Sequence, residues 1–259
     1  MKDGFIKVAA VTPKIRVADP GYNAERIIEG IDAAAVKGAK IIVFPEMVIS
    51  GYTCGDLLLQ HTLIDACKAA LKQIAEYTAD MDVLVFVGLP YYFRDKLYSV
   101  AAAVHRGLCL GMVPKSFVPN YSEFYEERYF TSGNASVLTT DFYGIGIPFG
   151  THIIFENGET LPELRIACEI CEDAWVPAPR SIIHAMAGAD VIVNLSASDE
   201  VIGKDAYRRQ LVSQASGSRI CAYIYASAGA GESSQDLVFG GHDIIAENGS
   251  ILAESKLFT

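Results

Sequence analysis

Three reactive side chains share one local setting. Glu46 closes the run Ile41-Ile42-Val43-Phe44-Pro45-Glu46, Lys115 closes Leu110-Gly111-Met112-Val113-Pro114-Lys115, and Cys171 follows the apolar stretch Leu164 to Ile170. A strand that stops at such a residue presents it at the carboxyl end, where α/β sheets hold their ligands. A carboxylate at the mouth of an apolar strand is partly desolvated, and desolvation raises its pKa toward that of a working base. A thiol with a pKa of about 8.5 needs a base to become a nucleophile. Each residue also has a plain reading. Cys171 fits a buried thiol acting as a small hydrophobe, Glu46 an exposed turn carboxylate, and Lys115 a solvated surface lysine. The repetition of the pattern favours chemistry, because three short strands can bring their ends to one edge.

Other familiar chemistries are not written here. No phosphate-binding G-x-x-x-x-G-K-[ST] run exists, since Gly203-Lys204 is followed by Asp205 and lacks the upstream glycine. Gly144, Gly146 and Gly150 do not make a dinucleotide fingerprint, Gly231-Glu232-Ser233-Ser234 is not a nucleophile elbow, and no H-E-x-x-H occurs. Cys168-x-x-Cys171 lacks a second ligand pair nearby, and residues three apart on a strand face opposite ways, so a metal is not expected.

The elements that position these groups alternate along the chain. Phe5 to Thr12 reads as a buried strand, Asn23 to Lys37 as a helix ended by Gly38, Ile41 to Phe44 as a fully apolar strand, and Leu57 to Ala79 as one long helix. Strands follow at Val83 to Val87, Tyr98 to Val104 and Leu108 to Val113, the last two joined by a turn at His105-Arg106-Gly107. Then come strand Leu164 to Ile170, helix Ser181 to Ala187 between Pro179 and Gly188, strand Val191 to Leu195, helix Asp205 to Ser216 and strand Cys221 to Ala226. Asn248-Gly249 joins His242 to Ala246 and Ser250 to Ala253 as a hairpin. Hairpins mixed among βα units predict an α/β layered domain with mixed sheets. The aromatic and charged stretch Lys115 to Asn134 is the one long loop, and such loops are often functional.

Composition narrows the class. The 259 residues are 51% apolar and carry a net charge of −10, which excludes intrinsic disorder and disfavours nucleic-acid partners. The apolar run Val83 to Phe93 is interrupted by Gly88 and Pro90, so no membrane span is expected, and the start of the chain, with Lys2 and Asp3, has no signal-peptide pattern. Six cysteines in a chain of this length suit a reduced, cytoplasmic setting.

Phe44-Pro45-Glu46, Pro114-Lys115 and Cys168-Glu169-Ile170-Cys171-Glu172-Asp173 resemble the Glu-Lys-Cys triad of the nitrilase, or carbon–nitrogen hydrolase, superfamily. The runs Ser50 to Leu57, Lys115 to Glu126, Asn194 to Ser198 and Ala228 to Leu237 further resemble the glutaminase domain of glutamine-dependent NAD synthetases. The resemblance spans nearly the whole chain. It implies a four-layer αββα sandwich of the nitrilase type with mixed sheets, and one glutaminase domain over 1–259. It assigns Glu46 as general base, Lys115 as oxyanion stabiliser and Cys171 as nucleophile, with Glu126 in support. It places glutamine against Tyr121 and Ser198, with Tyr52, Glu172 and Trp175 as walls. Lys204 stands where some relatives have arginine, and a lysine meets a carboxylate as a point charge and not a fork. No cofactor is expected in this chain. ATP and deamido-NAD would belong to a synthetase domain that this chain lacks, met in the full-length protein or in trans, and a homo-oligomer is expected. Three rivals remain: a stand-alone amidase or carbamoylase, a non-catalytic assembly module of a larger ligase, and a papain-like thiol hydrolase using His184.

Overall fold

The computed structural model describes residues 4–158 and 161–258. Lys2, Asp3 and the final Thr259 lie outside the described residues.

Thirteen strands form two sheets among the described residues. The first holds β1 (Val8–Ala10), β2 (Ile41–Val43), β3 (Leu84–Phe93), β4 (Lys96–His105), β5 (Leu108–Pro114), β6 (Leu138–Phe142) and β7 (Ile145–Phe149), in the order β1-β2-β3-β4-β5-β7-β6. The second holds β8 (Ile154–Asn157), β9 (Leu161–Ile170), β10 (Val191–Ser196), β11 (Ala222–Ser227), β12 (Ile244–Glu247) and β13 (Ser250–Glu254), in the order β13-β12-β11-β10-β9-β8. Helices α1 (Pro20–Val36) and α2 (His61–Tyr77) cover the first sheet, and α3 (Arg180–Met186) and α4 (Lys204–Arg219) the second.

Side-chain alternation builds the layers. On β2, Ile42 enters the core shared with Ala24, Ile27, Ile31, Leu71 and Ile74 of the helices. Ile41 and Val43 face the other way and pack between the sheets with Ile166, Ile170, Val193 and Ile224. On β11, Tyr223 and Tyr225 join Val212 and Ala215 beneath α4. A strand buried on both faces must be apolar throughout, which is why Ile41 to Phe44 reads so plainly. Fully burying one such side chain contributes about 1.5–3 kcal/mol. The result is the four-layer αββα sandwich with two mixed sheets.

Several boundaries differ from expectation. The first strand is only Val8–Ala10, and Phe5 is 81% exposed. The helix expected over Leu57 to Ala79 is two elements: a 3₁₀ turn over Gly55–Leu59 and then α2, separated by extended Gln60. β3 continues through Pro90 to Phe93, where Pro90 pairs with Ser99. Strands β6, β7 and β8 had no sequence reading. The hairpin turns at Arg106-Gly107 and Asn248-Gly249 both have two positive-φ residues, the geometry that matches strand twist. Among the described residues, no helix is long and apolar enough to cross a membrane.

Candidate active site

β2, β3 and β5 point the same way, because β3 is parallel to β2 and antiparallel to β4, which is antiparallel to β5. The residues that follow β2 and β5 therefore emerge at one edge. Glu46 follows β2 through Phe44 and Pro45, and Lys115 follows β5 directly. The second sheet meets them there: the Glu46 N–H donates to the Ser196 carbonyl at the end of β10, at 3.2 Å. β9 lies parallel to β10, so Cys171, the residue after β9, arrives at the same edge.

Close approach fixes Glu46. A Cβ on Gly88 would sit 2.4 Å from the Met47 nitrogen and 2.6 Å from the Pro45 oxygen. The turn carrying Glu46 thus rests directly on the backbone of β3. Gly88→Ala is expected to displace that turn, costing about 1–3 kcal/mol of stability and about tenfold or more in turnover. Thermal melting and amide hydrolysis check it, and an unchanged melting temperature with full turnover would count against this packing.

Lys115 is 1% exposed and joins two carboxylates. Its Nζ lies 2.9 Å from Glu46 Oε1 and 2.8 Å from both oxygens of Glu126. Ser99 Oγ donates to Glu46 Oε1 at 2.9 Å, and Tyr52 OH donates to Glu126 Oε1 at 2.7 Å. Glu46 Oε2 is buried with no hydrogen-bond partner among the described residues. Burial opposes the charge on Lys115, but Glu126, Glu46 and the Cys171 sulfur together hold its pKa well above the usual value. Burial pushes Glu126 up to about 7 despite the neighbouring Lys115 cation. The plain reading of Lys115 as a solvated surface lysine is therefore wrong: its solvent is two carboxylates.

Cys171 is 6% exposed and opens a 3₁₀ turn over Cys171–Ala174 with φ 44°. A non-glycine residue in this left-handed region is strained by about 1–3 kcal/mol, a cost that clusters at functional sites. Burial drives the thiol up to about 12, Lys115 draws it down, Glu46 and Glu126 raise it, and a hydrogen bond from the Ala197 backbone lowers it. The sulfur thus lies within electrostatic reach of all three charged side chains, and at neutral pH it carries its proton.

Asp173 clasps the two sheets beside this point. Its carboxylate accepts from the backbone N–H groups of Ser116, Phe117 and Ile170 at 3.0, 2.8 and 3.0 Å. The residues after Lys115 and before Cys171 are thereby tied to one acceptor. The Cys171 N–H in turn donates to Asn194 Oδ1 at 3.2 Å. Ser99 had no sequence signal as a site residue; Asp173 and Asn194 fall within the runs that carry the resemblance, which gave them no role of their own.

Around the sulfur, the loop after β5 and the turn after β9 face each other. Tyr121 OH donates to both oxygens of Glu172 at 3.0 Å. The Lys204 ammonium pairs with Asp199 and lies 5.6 Å from the Phe124 ring centre and 5.5 Å from that of Trp175. Trp175 also stacks on Tyr207, at 5.5 Å between ring centres. Ser198 is buried and accepts from Arg208 Nη2 at 3.2 Å. Tyr52 sits on the other side of Lys115, against Glu126, in a cavity of about 220 Å³ also lined by Leu58, Phe124, Tyr129 and Leu237. Glu46, Lys115, Glu126 and Tyr52 thus form one hydrogen-bonded cluster within electrostatic reach of Cys171, while Tyr121 pairs with Glu172, Lys204 lies over Trp175, and Ser198 bonds Arg208.

His184 does not belong to either. Its Nε2 bonds the Thr151 carbonyl oxygen at 2.9 Å within the core, and burial lowers its pKa. The papain-like rival has no imidazole to use there. Cys168 packs between the sheets, and among the described residues no group of three or more His, Cys, Asp or Glu could hold a metal ion.

Comparison with known proteins adds to this geometry. A model of the carbon-nitrogen hydrolase family matches residues 7–259. The glutamine-dependent NAD(+) synthetase of Mycobacterium tuberculosis is 42% identical over 255 residues, covering 98% of this chain and 37% of that protein. The crystal structure of a glutamine-dependent NAD(+) synthetase from Cytophaga hutchinsonii matches with a TM-score of 0.88 at 27% identity, covering 98% of this chain and 41% of that one. The NitN amidase from Neterenkonia sp. AN1 shares the fold, with a TM-score of 0.76 at 19% identity over 98% of this chain and 89% of that one. This chain spans well under half the length of the curated relatives it matches.

Proposed function

The chain belongs to the carbon–nitrogen hydrolase family, and from that premise we propose that it hydrolyses the side-chain amide of glutamine and passes the ammonia to a synthetase domain that amidates deamido-NAD. ATP and deamido-NAD would bind that partner domain and not this one. What supports the amide chemistry is one observation: a buried cation, a carboxylate with a free oxygen, and a thiol meet at a single edge between two sheets.

Glu46 takes the thiol proton as the Cys171 sulfur attacks the amide carbon. The need for a base is physical, because a thiol driven up to about 12 is not a thiolate at neutral pH. The negative charge gathering on the former carbonyl oxygen is met by the Lys115 ammonium and by the backbone N–H of Glu172. Losing one such donor costs about 2.7–4 kcal/mol of barrier. Glu46 then returns the proton to the departing ammonia, and takes another from the water that hydrolyses the thioester. Glu126 shares Lys115 with Glu46, so the lysine stays charged through the cycle. Tyr121, Ser198 and Lys204 would hold the amino-acid end of the substrate, with Tyr52, Glu172 and Trp175 as walls. Glu172 and Lys204 supply opposite charges on one rim, as an ammonium and a carboxylate require.

The test is ammonia and glutamate release from glutamine, run with and without the synthetase partner, beside a panel of other amides and carbamoyl compounds. Preference for glutamine is the expected result. A preference for a simple amide under both conditions would instead make this a stand-alone amidase. A glutamine-mimicking electrophile should label Cys171, read by mass spectrometry; label on Cys168 or Cys54 would contradict the mechanism.

A further inference from the structure

Glu232 is unused by the chemistry above, yet its carboxylate is fully engaged. Oε1 accepts the Tyr52 backbone N–H at 2.7 Å. Oε2 accepts the Thr53 N–H at 3.0 Å and the Thr53 hydroxyl at 2.6 Å. The Thr53 hydroxyl oxygen accepts the Ser233 N–H in return, at 2.9 Å. These bonds join segments 180 residues apart in the chain. The Glu232 end, which accepts these bonds, is held firmly: Gly231 has φ +103°, and a Cβ there would lie 1.9 Å from the Ile15 carbonyl oxygen. The Tyr52-Thr53 end, which donates them, leads into the site, because the Tyr52 hydroxyl donates to Glu126, which holds Lys115.

We propose that Glu232 is a positioning residue for amide hydrolysis: by anchoring the backbone of Tyr52 and Thr53 it aims the Tyr52 hydroxyl at Glu126, and so sets how Glu126 shares Lys115 with Glu46. A carboxylate suits this task because three donors converge on it, and an ionised acceptor binds N–H and O–H groups about twice as strongly as a neutral one. Burial is the main cause that raises Glu126, the Glu46 charge adds to it, and the Lys115 ammonium and the Tyr52 hydroxyl hold it down to about 7. Releasing the Tyr52 hydroxyl removes one of the two restraints, so the Glu126 pKa rises. Ionised Glu126 is what holds the Lys115 ammonium, so the acid limb of the pH profile moves to higher pH with it.

The inference rests on the proposed glutamine hydrolysis, so wild-type turnover is established first; its absence would fail that reading and not this one. With active wild type, Glu232→Gln is expected to lower kcat about tenfold, leave KM within about twofold, and move the acid limb upward. In a Tyr52→Phe background the same substitution should add nothing, since its route to the site is already cut. Should Glu232→Gln not fold, Thr53→Val removes the shortest of the three bonds and must move the acid limb the same way. An acid limb unmoved in whichever variant folds, or effects of Glu232→Gln and Tyr52→Phe that add in full, would overturn the proposal.

Discussion

Cys171→Ala is expected to reduce glutamine hydrolysis by about 10⁴-fold or more while changing stability by no more than about 1 kcal/mol. The two outcomes have different sources. The sulfur is the only atom lost, and with it the bond-forming centre. The backbone is untouched: alanine must occupy the same left-handed conformation, φ 44°, that cysteine does. Glycine tolerates that region freely, so Cys171→Gly should be at least as stable as Cys171→Ala, an order reversed from the usual Gly–Ala difference. Steady-state turnover and urea unfolding of the three proteins check both statements. Turnover near wild type in either variant would remove Cys171 from the mechanism. A glycine variant clearly less stable than the alanine one would remove strain from the account.

Lys115→Met is expected to abolish measurable turnover and to destabilise the fold by about 3–5 kcal/mol at pH 8. The methionine fills the space, but Glu46 and Glu126 lose the ammonium 2.8–2.9 Å away that neutralises them. The cost should depend on pH with a definite sign. The Lys115 cation lowers the Glu126 pKa, so removing it raises a value that is already about 7 in the folded protein, against an ordinary 4.5. A carboxyl raised on folding binds more protons folded than unfolded, so its contribution to stability falls as pH rises above 4.5. At pH 5 Glu126 of the variant takes up a proton and relaxes the repulsion; at pH 8 it must bear either a buried charge or the cost of binding the proton. The loss should therefore shrink toward pH 5. Equal destabilisation at both pH values would show that the lysine is held for its packing alone.

Much of this was readable from residue order, and the rest divides by physical cause. Ile41 to Phe44 announces itself because a doubly buried strand admits no polar residue. Asn248-Gly249 and Arg106-Gly107 announce themselves because few pairs accept two positive φ values. β6 and β8 do not, since they lie at sheet edges and carry Asp141 and Glu156 outward. Gln60 hides a break between two helical segments that share one apolar pattern. Within the site, residues at strand ends could be picked out in advance, but whether Lys115 was solvated or enclosed could not. Its environment is Glu46 and Glu126, 69 and 11 residues away, and only the fold introduces them. Asp173 stands in a recognisable run, but its role could not be read there: it ties Ser116 and Phe117, after β5, to Ile170 of β9.

That division of the cavity between two sheets bears on how the protein is made. A ribosome that has released everything through β7 has delivered Glu46, Lys115 and Glu126, but not Cys171. The Cys171 thiol follows on a separate layer, after β9, which is held between β8 and β10. Under the proposed mechanism, amide cleavage would have to wait until the two sheets have docked and the Cys171 thiol meets Glu46 and Lys115.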